Sequence, residues 1–204
     1  MADHMQNKPF DARLAFKLVY PLRDSRITPN HLTLLRLLFG IFAATGFVVG
    51  NYFWENVGAA CFVISNFLDH TDGELARLTG KISKTGHIFD LACDAIVNIM
   101  LFVGIGVGLM DSKLGLWALP MGIISGLSVA TIFHMRYEIE IKIGKTSARQ
   151  PHYGWIEAED VLYLLPVITL MQWLVPFLSL AAIGAPAFAI LVLCQYRKLR
   201  FKKS

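Results

Sequence analysis

Four aspartates carry the chemistry open to this chain. They stand in Asp69-His-Thr-Asp72-Gly73-Glu-Leu-Ala76-Arg77, followed by eight residues to Gly86, three to Asp90 and three more to Asp94. If both segments are helical, Asp69 and Asp72 (i, i+3) share one face, and Asp90 and Asp94 (i, i+4) share one face of the next helix. A turn around residues 78–85 lets the two faces meet. Carboxylates brought together near a low-dielectric medium repel unless protons or a cation relieve them. An all-oxygen donor set with neither Cys nor a paired His favours a hard divalent ion, Mg²⁺, Mn²⁺ or Ca²⁺, over zinc.

The elements that position these acids are apolar. The chain of 204 residues is 55% hydrophobic and 17% charged, with mean hydropathy +0.52, outside the usual range for a soluble globular domain. A span needs about 20 apolar residues to cross roughly 30 Å of hydrocarbon. Uncharged runs at 37–54, 57–68, 95–110, 114–135 and 161–196 predict an all-α membrane protein, a single membrane domain over 1–204. Six transmembrane helices are expected, at about 31–51, 56–79, 86–110, 114–140, 157–173 and 175–196, the last two folded from one long run that turns at Gln172-Trp173 and Pro176. Residues 10–22 predict an additional amphipathic helix on the membrane surface. No cleavable signal peptide is expected, because the first thirty residues hold five Lys or Arg and no long apolar core.

Of the nineteen Lys and Arg, only Lys113 falls in a connection on the far side of these spans. The positive-inside rule therefore predicts cytoplasmic termini and a cytoplasmic face for the acids. Arg36 counts here as one such cation at the start of the first span. Because the basic residues bracket spans rather than form one soluble face, the pI of about 9.0 does not indicate a nucleic-acid partner. Cys61, Cys93 and Cys194 match no metal spacing and read as reduced packing residues.

The eight fixed positions D-x2-D-G-x2-A-R-x8-G-x3-D-x3-D resemble, without departure, the signature of the CDP-alcohol phosphotransferase family. That resemblance implies transfer of a phosphatidyl-type group from a CDP-alcohol, above all CDP-diacylglycerol, to the hydroxyl of a small polar alcohol, with release of CMP in phospholipid biosynthesis. It implies Mg²⁺ (or Mn²⁺), two ions, as cofactor, with Asp69, Asp72, Asp90 and Asp94 as ligands and Asp94 as general base. It also implies a homodimer in a bacterial inner or plasma membrane, in contact with membrane lipids. The family commonly carries a Thr-Pro-Asn-x-x-Thr lead-in to its first span, matched by Thr28-Pro29-Asn30-His31-Leu32-Thr33, so Asn30 and Thr33 are expected at the nucleotide. A helix cap formed by Asn30 is the simpler reading of the same residues.

Within the motif, Gly73 and Ala76 keep one wall low enough for a nucleotide or for a helix neighbour. Arg77 offers a planar fork to a diphosphate, or pairs with Glu74. The resemblance places Ser83 near the diphosphate and Gly86 near the nucleotide. Arg136, in Met-Arg-Tyr-Glu, matches a basic-x-Glu element of the family and is the candidate acceptor contact. Lys142, Lys145 and Arg149 could attract a phosphorylated alcohol or merely set topology. Glu157, Glu159 and Asp160 replace the arginines of members that take phosphorylated acceptors, which favours serine, ethanolamine or choline. His70 and His87 could tune the motif, although a structural role suffices for each. The competing readings are a divalent-cation transporter, a member using another CDP-alcohol or a lipid acceptor, and a non-catalytic scaffold. The first lacks acidic partners on the other spans, and an intact motif argues against the last.

Overall fold

A computed structural model describes residues 10–81, 83–143 and 162–201 of the chain, and these are helical apart from short turns. The order is α1 (Phe10–Val19), a 3₁₀ turn (Tyr20–Leu22), α2 (Pro29–Val49), α3 (Tyr52–Thr79), α4 (Lys84–Gly108), a 3₁₀ turn (Gly115–Trp117), α5 (Ala118–Ile143), α6 (Leu165–Leu170) and α7 (Leu174–Phe201). Among the described residues, four helical stretches, Pro29–Val49, Lys84–Gly108, Gly115–Ile139 and Leu174–Lys198, are long and apolar enough to cross a membrane. At 28 residues α3 is longer than α2 and α4 but carries Glu55, Asp69, Asp72, Glu74 and Arg77.

Local chemistry sets the helix ends. Pro29 has no N–H to leave unsatisfied at the first position of α2. The cap is Thr28, whose N–H donates to His31 Nδ1 at 3.2 Å. This corrects the assignment of the cap to Asn30, which lies inside the first turn, its side chain turned to another task. Gly50, at φ +67°, ends α2 in the left-handed region, and Asn51 caps α3 one residue later by accepting from the Trp54 N–H at 3.0 Å. Ser83 caps α4 in the same way, accepting from the Gly86 N–H at 3.0 Å.

The helix α2 packs along both α3 and α4, which meet each other far less than each meets α2. Beyond α4 lie α5 and then α7, while α1 and α6 rest on α3. The core between α2, α3 and α4 is built from Ala43, Phe47, Ala59, Phe62, Val97 and Leu101, all essentially buried. Buried Val19 of α1 joins Leu32 and Leu75 in a smaller cluster at the polar ends of α2 and α3.

Lipid chains are as apolar as Leu, so helices in a bilayer associate through close packing at small residues. The α2–α4 seam depends on this at Gly104, where an added Cβ would lie 2.6 Å from the Ala44 carbonyl oxygen. Backbone atoms cannot rotate away as a side-chain end can. Gly104→Val should therefore destabilise the bundle by about 1–3 kcal/mol through overpacking, read as a lower Tm in detergent. Gly184→Ala on α7, where a Cβ meets nothing within 4 Å, is the matched control and should leave Tm unchanged or slightly raised.

The outer surfaces carry large exposed apolar side chains, among them Leu180 and Ile183, each 73% exposed. Between α4, α5 and α7 lies a cavity of about 390 Å³ lined almost wholly by apolar atoms, including Phe102, Ile132, Phe133, Phe177 and Phe188. Lys145, Arg149, His152, Trp155 and the acidic stretch 157–160 lie outside the described residues, as do the start of the fifth predicted span and the side chain of Lys142.

Candidate active site: a carboxylate cluster around a buried arginine

At the ends of α2, α3 and α4 nearest the α3–α4 turn, the motif aspartates converge. Asp69, Asp72 and Asp90 each present a carboxylate oxygen, the three within 4.8 Å of one another. Asp94, one turn further along α4, stands outside this trio. Hard oxygen donors converging from two helices suit a divalent ion, and the trio is the described group that fits one.

Arg36 occupies the middle of the cluster. Its side chain is 2% exposed, so it is shut off from solvent on all sides. Nη1 donates to Asp69 Oδ1 at 2.5 Å and to Asp90 Oδ1 at 3.1 Å, and Nη2 donates to Asp94 Oδ1. A lone guanidinium in a span is costly, and three carboxylates around it make the position tenable. The Arg36 carbonyl accepts from the Ser65 hydroxyl at 2.9 Å, which fixes α2 against α3 at this level.

Arg36 is the residue that sequence reasoning missed. A single basic residue near the start of a span looks like a topology determinant. The signal that could have found it is its spacing: Asn30, Thr33 and Arg36 recur every three residues along one side of α2, and Thr33 and Arg36 are buried there. Thr33 is 3% exposed, and its hydroxyl donates to Asp72 Oδ2 at 2.6 Å. Expected at the nucleotide, Thr33 thus holds a carboxylate of the trio. The Asn30 side chain approaches Gly86 closely, since a Cβ on Gly86 would lie 3.0 Å from Asn30 Oδ1 and 2.9 Å from Ser83 Oγ. Asn30 Oδ1 and Ser83 Oγ therefore both lie against Gly86, one turn before Asp90 on α4.

On α3, the wall at Gly73 is low. The nearest atoms to an added Cβ all belong to the Arg77 guanidinium, the closest at 3.5 Å. Arg77 is mostly exposed and its Nη2 lies 3.1 Å from Glu74 Oε1, the intrahelical pair. The guanidinium is 61% exposed and reaches solvent, whereas the Glu74 carboxylate it meets is 6% exposed. Arg136 is half-buried on α5, next to Tyr137, whose ring packs 4.4 Å from that of His87 in the first turn of α4. That contact brings Arg136 to the cluster's end of the bundle. His70 Nδ1 lies 3.0 Å from the Asn66 carbonyl oxygen and 3.5 Å from the Tyr163 hydroxyl, a structural setting.

Comparison with known proteins places this geometry. The chain is 37% identical over 82 residues to the archaetidylinositol phosphate synthase of Pyrococcus horikoshii, a match covering 40% of this chain and 42% of that protein. It is 31% identical over 94 residues to the bifunctional IPC transferase and DIPP synthase of Aquifex aeolicus, covering 46% of this chain and 21% of the relative. The chain thus spans less than half the length of these relatives. In fold it is similar to the crystal structure of Mycobacterium tuberculosis phosphatidylinositol phosphate synthase with CDP-DAG bound, at TM-score 0.59 and 20% identity over 91% of both chains. The same enzyme has been solved with manganese and citrate, at TM-score 0.59 and 20% identity over 90% of this chain and 86% of that one. The sequence profile described as CDP-alcohol phosphatidyltransferase matches residues 26–196, and the chain belongs to that family.

Proposed function

We propose that this chain transfers a substituted phosphate group from a CDP-linked lipid to the hydroxyl of a small polar alcohol and releases CMP. The observation that carries this reading is the meeting of all four motif aspartates at one end of α2–α4, beside the low wall of Gly73 and the close approach of Asn30 and Ser83 to Gly86. The CDP-DAG held by the Mycobacterium neighbour supports a CDP-linked lipid as donor. Asp69, Asp72 and Asp90 would hold the divalent ion, Mg²⁺ or Mn²⁺, which when bound neutralises phosphate charge and stabilises the departing CMP.

The chain's own residues do the rest. Gly73 and Gly86 admit the nucleotide against helix backbone, and Asn30 and Ser83 offer it hydrogen bonds. Arg77 swings from Glu74 to a diphosphate oxygen. Thr33 keeps Asp72 oriented. Asp94, with Oδ1 held by Arg36, presents its other oxygen to the acceptor hydroxyl and takes the proton as that oxygen attacks phosphorus. The lipid chains of the donor lie along the exposed apolar helix faces. The full architecture in this reading is six spans and an N-terminal amphipathic surface helix in a bacterial inner or plasma membrane. Termini and site face the cytoplasm, and the chain works as a homodimer.

For the acceptor, the relatives' names favour a phosphorylated inositol, against the serine, ethanolamine or choline suggested by the acids at 157–160. Half-buried Arg136 is the described cation best placed to meet a phosphorylated acceptor. The test is CMP release from purified protein with Mg²⁺ and CDP-diacylglycerol, with inositol 1-phosphate, glycerol 3-phosphate, inositol, serine, ethanolamine and choline offered in turn. Stimulation by inositol 1-phosphate alone is the expected result. A neutral or cationic winner would reverse the acceptor assignment and keep the reaction, and no release with any alcohol would overturn the reaction itself.

A further inference from the structure

The last helix, α7, is fastened to the bundle at two levels. At its first turns Leu174 and Leu178 join the main core, and the Phe177 ring stacks on Phe102 of α4 with centroids 5.9 Å apart. Toward the cluster's end of the bundle, Val192 packs with Ile132 and Ile139 of α5. The turns between carry Ala181, Gly184 and Ala185, and the apolar cavity of about 390 Å³ lies against these three residues. Small residues in a span let two backbones close up. Gly104, Gly106, Gly122 and Gly126 do this, each with facing backbone within 2.9 Å of an added Cβ. Gly184 does not, for nothing lies within 4 Å of it.

The lining decides what fills the gap. A buried water needs two to four polar partners, and the side chains of Phe102, Ile132, Phe133 and Phe188 supply none. Left empty, a void of this size forfeits the packing contacts that hold a membrane bundle together. Leu180, 73% exposed, and exposed Gly184 border it, so it opens onto the outer side of α7, where a bilayer supplies hydrocarbon. Its length fits one chain. Phe177 and Phe188 stand eleven residues apart on α7, about 16 Å along the helix, which is half of a hydrocarbon core of roughly 30 Å and the depth of one leaflet. Its place in the bundle sets which leaflet. Phe102 lies eight residues beyond Asp94 on α4, about 12 Å further from the cluster, and Phe177 is in the first turn of α7, at the end remote from it.

We propose that this cavity holds one acyl chain of a phospholipid from the leaflet opposite the carboxylate cluster, a resident lipid distinct from the CDP-linked donor. The chain completes the packing of α7 on α4 and α5 where the protein's own side chains stop short.

The test uses the full chain reconstituted in vesicles of palmitoyl-oleoyl phosphatidylglycerol, extracted in mild detergent and weighed by native mass spectrometry. One phospholipid retained per chain is expected. The double variant Ala181→Leu/Ala185→Leu fills the gap from α7 and should retain none. It should also hold, without lipid, the Tm that the delipidated wild-type chain regains only when phosphatidylglycerol is added back, with CDP-diacylglycerol affinity unchanged. If the double variant does not fold, Gly184→Leu at the mouth takes its place. No phospholipid on the wild-type chain would overturn the proposal without recourse to any variant, as would equal retention by a folded variant. Loss of CDP-diacylglycerol affinity in a folded variant would give the cavity to the donor's own chain and overturn the assignment to the opposite leaflet.

Discussion

Asp94→Asn should slow CMP release by about 10²–10⁴-fold, the range attributable to a positioned general base, while Mn²⁺ binding at the trio persists. The substitution is nearly isosteric. Its amide oxygen can still accept from Arg36 Nη2, the bond that Asp94 Oδ1 makes now, so Cys93 and Asn98, buried on the same stretch of α4, have no reason to repack. What disappears is an oxygen able to take a proton. The effect should therefore fall on kcat with little change in the Kd for CDP-lipid. Comparison of single-turnover rate with nucleotide affinity checks this. Near-normal turnover in Asp94→Asn would move the base elsewhere, and loss of Mn²⁺ binding would make Asp94 a ligand first.

The second large effect belongs to Asp72→Asn. Asp72 is 5% exposed, belongs to the trio and accepts from Thr33, so its neutralisation removes one of three anionic donors without opening the site. A ligand that binds only the folded chain stabilises it by about 2.7 kcal/mol at a hundredfold excess over its Kd. Wild-type protein should show that gain as a several-degree rise in Tm with Mn²⁺. Asp72→Asn should show almost none, with turnover reduced below about one thousandth, while its Tm without metal stays level or rises because a crowded negative charge has gone. A variant with an undiminished Mn²⁺-dependent Tm shift would remove Asp72 from the ligand set.

Much of this site was legible in the chain itself, and the reason is physical. Acids are expensive in apolar surroundings, so Asp69, Asp72, Asp90 and Asp94 announce themselves by location, and their i+3 and i+4 spacing places each pair on one helix face. The α2 and α4 helices were legible for the same reason, since long apolar runs have few other uses. The contacts that cross between helices were not. Thr33 to Asp72 and Arg36 to Asp94 join residues 39 and 58 positions apart, and no local pattern reports such pairings. Arg36 was hidden further because one cation near a span end has a common alternative explanation. The cap of α2 was misassigned because Thr28, Asn30 and His31 are all competent hydrogen-bonding residues around Pro29, and only the backbone decides which of them lies outside the helix.

The position of Arg36 also bears on how the chain is made. The α2 helix is synthesised before either of the helices that carry the acids facing its guanidinium. An isolated arginine in the second turn of a span opposes insertion by less than the roughly 2.5–3.5 kcal/mol of a mid-bilayer position, and α2 presents it with no counter-charge until α3 emerges with Asp69 and α4 with Asp90 and Asp94. The Gly50 and Asn51 turn keeps α3 only two residues behind α2. The ion pairs that shape the cluster thus also offset the cost of carrying Arg36 in the first span.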